Sequence, residues 1–321
     1  MPEIVVFVIS LAAAIRGADW LGRAAVGFAK KHGISEVVVG ATIVSVATTL
    51  PELAFATVSS AWNNDPLPAI GVTLGSPIIN LGLILGFFLL VSQTRPKVGY
   101  FSRSVNLLLV LSLLLLVISL NQPIGGFLSF LLIVLGCLYL LLEFLISKKT
   151  EPLADRLKSR FESFFGLFHF AADKAIYFEL VLGAVFLAVG SKFLVDSVVS
   201  IASSFHINEI LISLSIVAFG TAIPELITAI NSLIYKREGL SIGNLVGASV
   251  IDLTIGVGLG TFLTPVTLSY PSNLFIFGAL LVIGGLSLLS LWKRIPVKLI
   301  GGLLIAILLG FFVIFTFTSA L

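Results

Sequence analysis

Apolar stretches of about 20 residues or more, each long enough to cross the roughly 30 Å hydrocarbon core of a bilayer as a helix, follow one another along this chain with only short polar interruptions. Few folds are open to such a sequence. In lipid every backbone polar group must be satisfied internally, so the spanning elements are helices or closed barrels, and stretches of this length read as helices. Ten are read, at about 2–28, 35–61, 66–92, 104–120, 123–146, 174–203, 208–234, 239–264, 269–292 and 296–319. Composition agrees: 58% of residues are hydrophobic and 11% charged, against about a quarter charged in soluble domains. The expectation is an all-α membrane protein with ten transmembrane helices.

The first stretch carries Arg16 and Asp19, is too long for a signal-peptide core and has no basic segment before it; it reads as an uncleaved span. The lone cysteine, Cys137, is expected to be buried in a Leu-rich span and excludes an intramolecular disulfide. Lys and Arg concentrate in alternate loops: Lys30 and Lys31; Arg95, Lys97 and Arg103; 147–173; Lys236 and Arg237; Lys293, Arg294 and Lys298. The intervening loops hold none. Basic loops stay on the cytoplasmic side, so both termini are expected outside, with 147–173 in the cytoplasm and the chain multi-pass in the cell membrane.

A short polar motif containing proline occurs twice: ATTLPEL from Ala47 and GTAIPEL from Gly220. Each is followed by a second polar segment, VTLGSPIINLGLILG from Val72 and NLVGASVIDLTIGVG from Asn244. The copies sit on spans two and seven, so an odd number of crossings separates them and they face opposite ways. This predicts two inverted-topology five-helix repeats, 1–146 and 174–321, with motif regions within 35–92 and 208–264. Such repeats are typical of secondary transporters with a site near the midplane; a duplicated scaffold without transport is the alternative. In the joining segment 147–173, Leu157, Phe161, Phe164, Phe165 and Phe168 recur at helical spacing. That suits either a helix lying on the inner membrane surface or a plain linker.

Each motif places a glutamate, Glu52 or Glu225, in apolar surroundings, where a carboxylate costs roughly 2.5 to 3.5 kcal/mol. Thr48 and Glu52 are four residues apart and share a helical face, as do Thr221 and Glu225. Pro51 and Pro224 lack an amide hydrogen, which frees the carbonyls of Ala47 and Gly220 and is expected to break both spans. The following spans add Ser76 with Asn80 and Ala248 with Asp252, again four apart. Gly71, Gly75, Gly243 and Gly247 would allow close backbone approach. Together these supply the hard oxygens that calcium takes, six to eight in number, and no His or Cys cluster favours a softer metal. Bland alternatives stand beside each reading. The glutamates would be protonated or hydrogen-bonded between helices, Asn80 and Asp252 would be interhelical glue, and Ser76 and the threonines would bond back to their own helices. Arg16 with Asp19, and Lys192 with Asp196, read as self-neutralised pairs or snorkelling ends. His32, His169 and His206 lie in or near loops.

In these motifs the chain is similar to the cation/calcium antiporters, specifically the prokaryotic sodium/calcium exchangers. Their repeats read approximately GTSLPEL followed by GNxIGSNIxN or an Asp-ending variant, and GADW from Gly17 resembles their first helix. The resemblance covers spans two, three, seven and eight. It implies that Glu52 and Glu225 are the principal calcium ligands and that Thr48, Thr49, Ser76, Asn80, Thr221 and Asp252 bind ions. It also implies backbone contributions from Ser45 and Ala218, a ten-helix fold, and access from either side governed by sliding of spans one and six. Four positions depart from the family pattern: Ala47, Val72, Ala222 and Ala248. Two hydroxyls are thus missing from the second repeat, so sodium is less firmly implied than calcium.

A channel is a rival, since carboxylate rings also line cation pores, although an inverted repeat in one chain supplies two access states without a subunit ring. An intramembrane enzyme would need a nucleophile, a metal constellation or paired aspartates, and none is apparent. The reading is therefore a non-enzymatic antiporter exchanging calcium for sodium by alternating access at a midplane carboxylate site, with proton/calcium exchange as the alternative. No cofactor and no nucleic-acid partner is expected. Its partners are calcium, sodium or protons, and membrane lipid, with the monomer as the functional unit.

Overall fold

The computed structural model describes residues 2–31, 42, 44–92, 94–96, 98–146, 174–205, 209–234 and 238–319; the amphipathic pattern of 147–173 and the three histidines lie outside them. The described residues are helical apart from connecting turns and one isolated bridge, Ile124 with Val266. Helix α1 is Pro2–Lys31, and α2 is Ser45–Thr57 continued by a wider turn at Val58–Trp62. Helix α3 is Pro66–Ser92, α4 Val98–Ser119, α5 Gly126–Ile146, α6 Lys174–Phe205 and α7 Glu209–Ile234. Helix α8 is Glu238–Ile251 prolonged through Asp252–Gly256 and Val257–Thr261, α9 is Tyr270–Leu289 and α10 is Val297–Ser319. Apart from their ends, these coincide with the apolar stretches of the sequence. Among the described residues, α3, α4, α5, α7, α8, α9 and α10 contain the seven helices long and apolar enough to cross a membrane.

Burial sorts these helices into inner and outer ones. In α3 and α8, 78% and 89% of the most apolar stretch is buried, against 28% to 44% in α4, α5, α9 and α10. The outer helices turn large apolar side chains outward, such as Val110, Leu113 and Val117 of α4 and Phe127, Phe130 and Val134 of α5. Those faces are matched to acyl chains, not to water. Cys137 lies on this side of α5 and is exposed, contrary to the expected burial. A Leu-rich helix carries no polar side, so hydropathy alone cannot tell its lipid face from its core face.

Glycines bring the inner helices together. A Cβ on Gly75 of α3 would lie 2.5 Å from the Leu214 carbonyl oxygen of α7, and one on Gly71 would lie 2.5 Å from Ser213 Cβ. These helices therefore pack backbone to backbone, as small residues permit in lipid. Helices α1 and α6 lie along one another, with Gly190 against the Ala14 backbone, and meet the rest mainly through α2. Trp20 packs edge-on to Phe186, ring centres 5.2 Å apart, and Arg16 sits 5.3 Å over the Trp20 ring. The pairing expected for Arg16 falls on the side chain of Asp19, outside those described. The second expected pair forms: Lys192 Nζ is 2.5 Å from Asp196, which also accepts from Asn63 Nδ2 at 3.2 Å. At the other end of the bundle, the Arg95 guanidinium donates to the carbonyls of Ser290 (2.9 Å), Trp292 (2.6 Å), Lys293 (3.4 Å) and Ile295 (2.6 Å). It thereby holds the turn joining α9 to α10 and satisfies carbonyls that the end of α9 leaves open.

Candidate cation site

The two proline motifs fold differently. Helix α2 runs unbroken through Pro51, contrary to the expected interruption. Its dihedrals stay helical on both sides, so the missing amide removes one ladder bond without ending the helix. In α7 the helix Ala218–Thr221 stops at Ala222 (φ −77°, ψ 2°) and restarts as Ile223–Ile234, with Pro224 at its start, where a missing amide is tolerated. Wider turns, closed by bonds to the fifth residue back, occur at Ser213–Val217, Asn80–Ile84 and Asp252–Gly256. The last two begin at equivalent residues of the two motif copies. Each inserts an extra residue into its turn and re-aims the side chains beyond it, a local form often found at functional sites.

Glu52 of α2, Glu225 of α7 and Asp252 of α8 are fully buried, at 0% exposure. Glu52 lies within electrostatic reach of Glu225 and Asp252, and Asp252 within reach of Glu225. The hydroxyls cross between copies: Thr221 approaches Glu52, and Thr48 approaches Glu225, while Ser76 approaches Asp252. Among the described residues none of these approaches is a formed hydrogen bond, and all six carboxylate oxygens lack a partner. Burying an unpaired carboxylate costs several kcal/mol. Three neighbouring ones require positive charge from cations or protons. Among the described residues no three His, Cys, Asp or Glu side chains close on a common point as a metal cluster. The carboxylates line a common region without forming a finished cage.

The neutral groups divide. Thr49 donates to the Ser45 carbonyl at 2.6 Å, and Thr221 to those of Val217 and Ala218 at 3.1 and 3.3 Å, so both bond back to their own helices. Thr48 donates to the Ser45 carbonyl at 3.4 Å and to Asn244 Oδ1 at 3.1 Å. The Ser45 and Ala218 carbonyls occupy equivalent places in the two copies and each accepts a threonine hydroxyl. Asn80 Nδ2 donates to Ser76 Oγ at 3.4 Å, leaving Asn80 Oδ1 buried and unpartnered. Ala222 and Ala248, at 1% and 0% exposure, offer no side-chain oxygen. Asn244 opens the second polar segment but is not among the site residues named from the sequence, yet it is fully buried and its main-chain oxygen also accepts Ser45 Oγ at 3.3 Å. The signal lies in the unequal pair itself, since Val72 holds the matching place in the first copy.

Comparison with known proteins decides the family. Residues 3–169 and 176–321 match the sequence model of the sodium/calcium exchanger protein family. The chain belongs to the sodium/calcium exchanger family. It is a multi-pass membrane protein and a cation/calcium antiporter by that membership, in a family of exchangers and not of enzymes. It is 26% identical to the inner membrane protein YrbG of Escherichia coli, covering 90% of this chain and 88% of that one. It is 23% identical to the sodium/calcium exchanger MaX1 of Methanosarcina acetivorans, covering 84% and 85%. The fold resembles that of the sodium-calcium exchanger NCX_Mj soaked with sodium and strontium, with TM-score 0.65, 21% identity and 96% of both chains covered.

Proposed function

We propose that this family member is a secondary-active antiporter that exchanges calcium for sodium by alternating access at a midplane site. Glu52, Glu225 and Asp252 supply its charge, and Asn80, Ser76, Thr48, Thr49, Thr221 and the carbonyls of Ser45 and Ala218 supply neutral oxygens. The observation that carries this reading is the set of three fully buried, unpartnered carboxylates drawn from both motif copies. Calcium takes six to eight oxygens in flexible geometry, so carboxylates turning toward an ion complete a shell that they do not form among themselves. The proposed frame is ten spans in two inverted five-helix repeats, 1–146 and 174–321, joined by a cytoplasmic 147–173, with both termini outside. The monomer works in the cell membrane, surrounded by lipid, without a cofactor.

A second reading, proton/calcium exchange through the same carboxylates, is favoured by one observation. The buried Ala222 and Ala248 take two hydroxyls from the second repeat, and sodium, with less charge, depends more on neutral oxygens. Purified protein in sealed vesicles separates the readings. Calcium uptake is expected to follow an outward sodium gradient; uptake that follows only an imposed pH gradient makes it a proton exchanger. Calcium movement that needs no counter-ion makes it a channel.

A further inference from the structure

A line of buried and half-buried polar groups reaches the site from its flank. Tyr100 and Ser104 lie on α4 and Tyr139 on α5, and Tyr100 OH is 2.7 Å from Tyr139 OH, which is 3.1 Å from Ser104 Oγ. Tyr100 OH also donates to the Gly243 carbonyl of α8 at 3.2 Å. A phenol has one hydrogen, so that bond fixes the order: Ser104 donates to Tyr139, Tyr139 to Tyr100, and Tyr100 to Gly243. The next residue is Asn244, whose Oδ1 accepts the Thr48 hydroxyl and whose main-chain oxygen accepts Ser45 Oγ. Ser104 and Tyr139 are 1% and 5% exposed. A polar line in an apolar bundle is held rigid by the bonds that its members make, and each hydroxyl here donates one.

We infer that Asn244, braced at the Gly243 carbonyl by the Tyr100–Tyr139 pair, is a positioning residue that sets the Thr48 hydroxyl for cation binding. The inference rests on the transport reading above. By accepting the Thr48 hydrogen, Asn244 Oδ1 turns that hydrogen away and leaves lone pairs of Thr48 Oγ1 for an ion held beside Glu225. Its own Nδ2 is a donor without a partner among the described residues and cannot ligate a cation, and its Oδ1 is engaged by Thr48; on this inference Asn244 acts through Thr48. Among the described residues the other half of the site has no such device. Val72 replaces the asparagine there, and Thr221 bonds only to carbonyls of its own helix. One threonine is therefore fixed from outside its helix and the other is not, which makes the two halves of a duplicated site unequal.

The test is a double-mutant cycle on calcium uptake by reconstituted protein, reading half-saturating calcium and maximal rate separately. Asn244→Val, which copies the first repeat, is expected to raise half-saturating calcium about threefold to tenfold, the worth of one hydrogen bond, with the maximal rate within about twofold. In a Thr48→Val background the same change should add nothing, because its only route is gone. Tyr100→Phe, which removes one oxygen, should raise half-saturating calcium in the same direction. Independent, additive effects of Asn244→Val and Thr48→Val would overturn the inference, as would an unchanged half-saturation in both Asn244→Val and Tyr100→Phe. If Asn244→Val fails to fold, Tyr100→Phe decides alone. A wild-type protein that moves no calcium overturns the transport reading instead, and the inference falls with it.

Discussion

Glu52 and Glu225 make the heaviest demand on their surroundings, since each is fully enclosed and neither finds a hydrogen-bond donor. Replacing either by glutamine keeps the shape and removes a charge, so Glu52→Gln and Glu225→Gln should weaken calcium binding by roughly a hundredfold or more, because ligand charge sets calcium affinity. The mutants should remain folded and membrane-inserted, which calorimetric titration alongside a melting curve would establish; wild-type affinity in either would remove that glutamate from the site. Protons compete for the same oxygens, and like charges placed together cannot all ionise without a cation. Calcium affinity should therefore fall as pH is lowered from about 8 to about 5; a flat profile contradicts a three-carboxylate site. For the driving ion, Ala222→Ser with Ala248→Ser restores two hydroxyls and should lower the sodium concentration needed to drive calcium flux. No change there would leave those positions outside the sodium pathway. Glu52 with Glu225, and Thr48 with Thr221, were legible in the sequence because each pair recurs at matched spacing; Asp252 stood out as a carboxylate in an apolar span, and Thr49 only through the family resemblance. Asn244 was not singled out, because its counterpart is Val72 and it is neither charged nor repeated.

At the scale of elements, the site depends on α3 and α7 approaching more closely than side chains allow. A Cβ at Gly75 would meet both the Leu214 carbonyl oxygen and, at 2.8 Å, Ala218 Cβ. Backbone atoms have little room to yield, so Gly75→Ala should cost about 1 to 3 kcal/mol, the usual penalty of overpacking. A lower melting temperature in detergent together with reduced calcium flux is the expected pair of readings, whereas a neutral melting curve would mean that α7 can shift at no penalty. Helix positions were readable because runs of apolar residues report them directly. The wide turns at Asn80–Ile84 and Asp252–Gly256 were not, because one extra residue inside a helix buried on all sides leaves no mark on hydrophobic spacing. Pro51 misled for a related reason: proline lowers the stability of a helix interior, but packing from neighbouring helices decides whether the helix ends there.

At the scale of the molecule, the two motif copies contribute to one buried region from helices of both halves, and each glutamate has the other copy's threonine beside it. Crossed pairing of this kind arises naturally if the halves are related by an axis in the membrane plane, and it fixes what the orientation of the chain must deliver. With Arg95, Lys293, Arg294 and Lys298 near one end of the bundle and the outer faces apolar, the basic end should be cytoplasmic. Labelling tests this once Cys137, exposed on α5, has been replaced by serine so that no native thiol competes. A cysteine introduced at Lys293 should resist an impermeant thiol reagent applied to intact cells and react after the membrane is opened, while one in place of Asn121, in the Lys- and Arg-free loop between α4 and α5, should react at once. The reverse pattern would turn the molecule over, so that each half-site would serve the opposite face of the membrane from the one proposed.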